Sequence, residues 1–326
     1  MTAPPRRIHA LASKYALFAA WAGTILIFAL AEPHTFLDRQ NITSTLNSQA
    51  VLVLLTYALV VALTAGEYDV SVAAVLTLSA MMVAILNTED HVNIILSALI
   101  ALATGILVGL VNAAVIVVIG VDSIIATLGM GSFLSGVVLW ISGGNTFSGI
   151  SGTLVTLVVV PHVYGLSMSF FYVMAATFLL WYVLTYLPAG RRLLYVGRSR
   201  EVSRLSGLRV GRLRGAALVA ASFVAAVAGV LYAGTTGGAD PTSGLAFLLP
   251  AFAGAFLGAT TIQPGRFNAW GSLAAVYFLV TGIDGLSLLG IQVFVQDLFY
   301  GAALIVAVSG SVLARRRAQS SGTPSP

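Results

Sequence analysis

The chain has 326 residues, of which 58% are hydrophobic and 8% charged, and its mean hydropathy is +0.98. An average soluble domain is roughly 25% charged, so a soluble globular class is excluded. The absence of cysteine excludes a disulfide framework, a thiolate metal site and a cysteine nucleophile, and the 4 histidines stand at no ligand spacing. The net charge of +5 comes without an aromatic-basic soluble module, so it reflects membrane orientation rather than nucleic-acid binding.

About 20 apolar residues cross a hydrocarbon core, and runs of that order recur along the whole chain. They predict an all-α polytopic membrane protein of about ten transmembrane helices. A cytoplasmic tail, 1–14, carries Arg6, Arg7 and Lys14. The first span, 15–31, ends on Ala29-Leu30-Ala31 and so imitates a cleavable signal peptide, but with nine further spans behind it the reading is a signal anchor. The second span, 46–65, opens with Asn47 and Gln49 and runs into Gly66-Glu67-Tyr68-Asp69. Spans at 70–87 and 92–119 follow, the latter with Gly105, Gly109 and Asn112, and then the turn Gly120-Val121-Asp122. The fifth span, 123–142, contains Thr127, Gly129, Gly131, Ser132 and Gly136, and Asn145 lies just beyond it. The sixth, 167–187, leads into a loop at 188–214 that holds 8 of the 16 basic residues. Spans at 215–236, 244–262, 267–283 and 293–313 complete the transmembrane domain, 15–314, before a second tail at 315–326.

With the N-terminus inside, six spans precede the basic loop and four follow it. Every Lys and Arg except Arg39 then faces the cytoplasm, as the positive-inside rule requires. Gly66-Glu67-Tyr68-Asp69 has a counterpart in Gly237-Gly238-Ala239-Asp240, and Gly109 with Gly120-Val121-Asp122 has one in Gly271 with Gly282-Ile283-Asp284. The copies lie five spans apart, an odd number, which predicts a 5+5 inverted repeat with the substrate path along its interface. Turn chemistry alone also favours Gly and Asp at span ends. The glycines within the spans read first as helix-packing positions.

The basic loop contains Glu201-Val202-Ser203-Arg204-Leu205-Ser206-Gly207-Leu208, whose middle predicts an amphipathic helix of about two turns ending at Gly207. Two readings stand: a docking element offering Leu205 and Leu208 to a protein, or a solvated loop that sets topology and binds anionic lipid headgroups. The only lysine is Lys14, between Ser13 and Tyr15, so no Walker-type phosphate loop is present and no cofactor is expected. No nucleophile-elbow serine or paired carboxylates stand out, so the chain does not read as an enzyme.

At this loop the chain resembles the permeases of ribose-type ABC importers, in which a Glu-Ala-Ala-Arg-x-Ser-Gly-Ile-like stretch precedes a basic run. Gly66-Glu67-Tyr68-Asp69-Val70-Ser71-Val72, Ile124-Ile125-Ala126-Thr127-Leu128-Gly129-Met130 and Pro264-Gly265-Arg266-Phe267-Asn268-Ala269-Trp270-Gly271, with Gln296-Asp297-Leu298-Phe299, are similar to further family segments in the same order. The likeness covers residues 45–315; Tyr68, Val202, Ser203, Gln263 and Pro264 depart from the pattern. It implies a multi-pass subunit of a bacterial inner membrane that forms a homodimer or heterodimer with a second permease. It further implies a cytoplasmic ATP-binding subunit, coupled through Glu201, Arg204, Leu205, Ser206, Gly207 and Leu208, and delivery of a monosaccharide by an extracytoplasmic binding protein. Candidates for the translocation path are Asn47, Gln49, Asp69, Asn112, Thr127, Ser132 and Asn145, each of which also reads as an interhelical hydrogen-bonding residue. Asp69 and Asp122 read as capping residues at span ends, and Asp297 as an ionisable group deep in the tenth span. An ion-coupled secondary transporter, or a permease for a nucleoside or branched-chain amino acid, is the alternative.

Overall fold

The computed structural model describes residues 6–160, 162–292 and 294–320, with side chains for 15–160, 163–292 and 294–309. The predicted tails, 1–14 and 315–326, fall partly outside the described residues. In chain order the helices are α1 (Arg6–Ala31), α2 (Arg39–Ser48), α3 (Ala50–Thr64), α4 (Val72–Thr88) and α5 (Ile94–Ala113), which continues as a π-helical segment (Ala114–Ile119). Then come α6 (Ser123–Ser142), strand β1 (Phe147–Ser148), α7 (Gly152–Val158), β2 (His162–Val163), β3 (Leu166–Ser167), α8 (Met168–Thr185), α9 (Pro188–Arg198) and α10 (Arg200–Leu205). The chain closes with α11 (Val210–Thr236), β4 (Gly238–Ala239), α12 (Leu245–Gly258), α13 (Ala269–Leu288) and α14 (Phe294–Ser320).

Among the described residues 6 helices are long and apolar enough to cross a membrane: Arg39–Thr64, Ile94–Ile119, Ser123–Ser142, Met168–Thr185, Val210–Thr236 and Ala269–Leu288. Four shorter apolar helices, Tyr15–Ala31, Val72–Thr88, Leu245–Gly258 and Phe294–Ser309, stand at the remaining predicted spans. The fold is therefore that of a polytopic helical membrane protein. Helix α2 was not expected, because its residues are polar and none of them is buried, so no apolar periodicity marks it; Asp38 caps it by accepting from the Gln40 amide.

The chain divides into two compact units, one of residues 50–251 and one of residues 1–49 with 252–326. In the larger, α3 is buried on every side: all its residues but Val61 are buried, which is how an all-round apolar helix behaves. Small residues bring the other helices close. Gly105 of α5 faces Ala226, Gly109 lies against Val219 and Ser222, and Gly229 of α11 meets the Leu76 carbonyl and Ser79 of α4. Tyr57 and Thr177 join α3 to α8 through a 2.6 Å hydrogen bond. By contrast α6 buries only Ser123, Thr127, Leu134, Val138 and Ser142, a single stripe, and a Cβ at Gly129 or Gly136 would meet nothing within 4 Å. The packing expectation thus holds for Gly105 and Gly109 and fails within this chain for Gly129 and Gly136.

In the smaller unit Trp21 Nε1 donates to Thr281 Oγ1 at 3.0 Å, joining α1 to α13. Thr45 of α2 donates to Asp284 at 2.6 Å, and the Tyr277 hydroxyl donates to the Leu46 carbonyl at 3.0 Å. Asn268 caps α13 by accepting from the Gly271 amide, while its own amide donates to the Gly258 and Thr261 carbonyls.

One of the two paired sequence features recurs as local structure. Asp69 Oδ1 accepts from the amide and hydroxyl of Ser71 at 3.0 and 2.6 Å, and Asp240 Oδ1 accepts from those of Thr242 at 2.8 and 2.6 Å. Gly66 and Gly237 both hold the left-handed φ that a side chain disfavours, +76° and +71°. The other pair does not match. Gly120 has φ +92° and Asp122 caps α6, whereas Gly282 and Asp284 lie inside α13. Asp297 stands in the first turn of α14, with its side chain exposed within this chain.

Candidate functional site

The basic loop folds into two short helices. Proline at the first position of α9 supplies a pre-set φ where no amide partner is needed. Ser199 then breaks the chain direction in an extended conformation and caps α10, accepting from the Val202 amide at 3.3 Å. Glu201 lies in the first turn and Arg204 in the last, each favourable for the helix dipole, and they pair at 3.0 Å. Gly207, at φ +80°, ends the helix: its amide donates to the Arg204 carbonyl and that of Leu208 to the Ser203 carbonyl, a Schellman closure. The charged pair leaves Val202 and Leu205 bare, 62% and 77% exposed. An open groove of about 390 Å³ runs between α9 and α10, lined in part by Tyr195, Arg198, Val202, Ser206 and Leu208.

Beneath α10 lies a buried charge. Glu67, fully inaccessible, accepts at one oxygen, Oε1, from Arg200 Nη2 at 2.8 Å and from Arg214 Nε. The same Arg200 nitrogen also donates to the Gly66 carbonyl at 3.0 Å. Among the described residues the other Glu67 oxygen has no hydrogen-bond partner. A Cβ on Gly197, in the last turn of α9, would overlap the Thr64 carbonyl, so the end of α9 meets the end of α3 backbone to backbone. The α3–α4 connection is held from its other side by α6. Ser123 Oγ accepts from the Tyr68 amide at 3.2 Å, and Thr127 Oγ1 accepts from the Val70 amide at 3.0 Å while lying 3.1 Å from the Tyr68 carbonyl. Asn112 donates to Ser71 Oγ at 2.9 Å, extending the network to α5. Burial raises the Asp69 carboxyl to about 6 against the pull of its two Ser71 bonds. Its half-buried counterpart Asp240 is instead held below the ordinary carboxylate value, chiefly by the Thr242 hydroxyl.

Of the candidate path residues, the structure therefore brings Asp69, Asn112 and Thr127 into one buried cluster where α4, α5 and α6 meet. Asn145 lies at the opposite end of the same unit, beside β1, which pairs with β4. At that end Thr146 donates to Asp240 at 2.8 Å and Asn87 accepts from the Ser151 amide at 2.6 Å. Asn47 and Gln49 belong to the smaller unit, and Ser132 lies on α6 outside its buried stripe. Missed in the sequence were the roles of Glu67, Ser71, Ser123, Arg200 and Arg214. The odd acid in a turn was visible, but its partners stand 133 and 147 positions away. The one usable signal was parity: counted on the ten spans expected from the sequence, 66–69, 120–122 and 188–214 would share a membrane face.

A family model described as the permease component of the branched-chain amino acid transport system matches residues 41–308. The chain belongs to this permease family. Among its relatives, the D-allose transport system permease of Escherichia coli is 28% identical over 297 residues, covering 91% of this chain and 90% of that protein. The ribose import permease of Bacillus subtilis is 28% identical over 307 residues, 93% and 94% of the two chains. The autoinducer 2 import system permease of Photorhabdus laumondii is 25% identical over 302 residues, 91% and 90%. No solved structure matches. Family and apolar helices together make the permease a multi-pass protein of the bacterial inner membrane, and the resemblance drawn at Glu201–Leu208 extends over nearly the whole chain.

Proposed function

We propose that the permease is the membrane subunit of an ABC importer for a monosaccharide, forming the translocation path and coupled to ATP hydrolysis on a separate cytoplasmic subunit. The observation that carries this reading is α10, a capped and closed two-turn helix at the basic end of the larger unit that leaves Val202 and Leu205 bare to solvent. Burying exposed apolar area of this kind against a partner is worth roughly 25 cal/mol per Å², and nothing among the described residues covers it. Two of the three relatives above are named for sugars, D-allose and ribose, which supports a monosaccharide as cargo. An extracytoplasmic sugar-binding protein and a second permease copy or paralogue complete the assembly. Replacing Leu205 by Asp puts a charge into the apolar contact, at a cost of several kcal/mol if it remains unpaired. Co-purification of the ATPase subunit should drop at least tenfold with membrane insertion intact; co-purification at the wild-type level would sink the docking role.

Ten spans with both termini in the cytoplasm is the topology we propose. Six long and four shorter apolar helices support the count. The gathering of the 66–71 turn with α9 and α10 at one end of the larger unit, and of Asn145, β1 and β4 at the other, supports the parity. The matched Asp69–Ser71 and Asp240–Thr242 turns, at opposite ends of that unit, support an inverted repeat. Single cysteines at 266 and 90, in a chain that has none, test the orientation. An impermeant maleimide applied to intact cells should label 90 and spare 266, and the reverse pattern would overturn the topology.

In this reading, closure of the ATPase subunits moves α10, and the path alternates its opening. A nucleotide shifts such an equilibrium only by binding the two states unequally, so the driving step lies in the partner and the permease is the bistable element. The buried Asp69, Asn112 and Thr127 cluster is closed in this state, and its weak hydrogen-bonding groups suit a polyhydroxylated solute that must be released again.

A further inference from the structure

We infer that Glu67 is a positioning residue for transport: clamped by Arg200 and Arg214, its buried carboxylate ties α10 to the α3–α4 connection and, through Thr127 and Ser123, to the start of α6. The inference rests on the reading that α10 meets the ATPase subunit.

Three features make this a mechanical link and not an incidental surface pair. First, the carboxylate is fully buried while Arg200 is half-exposed, so a residue of the docking helix reaches into the interior to hold a charge that water does not reach. Second, both guanidiniums converge on one oxygen and the other oxygen has no hydrogen-bond partner among the described residues, so the ionised group depends on these two cations. Removing one partner of a buried pair leaves a charge that the interior penalises heavily. Third, the connection cannot give way on its far side, because the Tyr68 and Val70 amides are held by hydroxyls of α6. A shift of α10 that carried Arg200 away would strip Glu67 of one cation and the Gly66 carbonyl of its donor at once. Two arrangements, clamp closed and clamp opened to water, are thus favoured over anything between them, as a coupling element requires.

The test uses the whole transporter, permease with ATPase subunit and binding protein, in proteoliposomes, reading sugar taken up per ATP hydrolysed. In Glu67→Gln the ratio should fall about tenfold while the ATPase subunit still co-purifies, because the carboxamide keeps the shape and loses the charge that holds both arginines. Arg200→Gln, altered on the half-exposed side of the clamp, should lower the ratio in the same direction, and the double variant should be no worse than Glu67→Gln alone. Arg200→Gln alone decides the matter if Glu67→Gln fails to assemble. A purely structural role would lower uptake and hydrolysis in proportion, leaving the ratio at its wild-type value, and that result in Arg200→Gln overturns the inference. A wild-type protein showing no ATPase-driven uptake would instead bring down the importer reading on which the inference stands.

Discussion

Reconstituted alone, the permease should neither hydrolyse ATP nor accumulate sugar; with its ATPase subunit and binding protein, both activities should appear together. The effect is close to all-or-none. Its only lysine is Lys14, without the glycine-rich loop that cradles phosphates, and the proposed function accordingly assigns hydrolysis to a second chain. Uptake of D-ribose or D-allose into ATP-loaded proteoliposomes, with and without proton and sodium ionophores, reads the outcome. Indifference to ionophores is expected, because the proposed driving step is nucleotide-linked closure and not the titration of Asp297, which stands in the first turn of α14. Uptake by the lone chain that collapses with the proton gradient would transfer the case to an ion-coupled transporter.

The second large effect concerns the α5–α11 seam. A Cβ at Gly109 would stand 2.7 Å from Val219 Cα and 3.0 Å from Ser222 Cβ, so one helix backbone has to retreat. Gly109→Val should therefore cost about 3 kcal/mol, the upper part of the usual range for overpacking, and lower the thermal midpoint in detergent by several degrees or abolish folded protein. Gly129→Ala is the matched control. Nothing lies within 4 Å of its added Cβ, and alanine favours a helix by roughly 1 kcal/mol over glycine, so its midpoint should hold or rise. Equal losses at the two positions would show that the seam is not what these glycines serve.

These two glycines also mark the limit of what could be read before folding. Gly105, Gly109, Gly129 and Gly136 look alike in the chain, each a small residue in an apolar run. Two face α11 at contact distance and two face outward from the unit, because packing depends on which element arrives opposite, and hydropathy carries no record of that. The repeat shows the same limit. The Gly66 and Gly237 turns were legible because an Asp bonding the residue two positions on is a local motif, but Gly282 and Asp284 shared only letters with Gly120 and Asp122.

The sequence by itself determined the class, the place of the long apolar helices and the short helix closed at Gly207. Each of these follows from summed hydropathy, charge count or the backbone preference of a few neighbouring residues. Only the tertiary structure decided that Asp69, Asn112 and Thr127 are buried together, that Asp297 lies at a helix start, and that Glu67 is held by Arg200 and Arg214. A buried charge is stable only where its partners converge, and that convergence is made by α9, α10 and α11 folding back on the α3–α4 connection over more than a hundred residues of intervening chain.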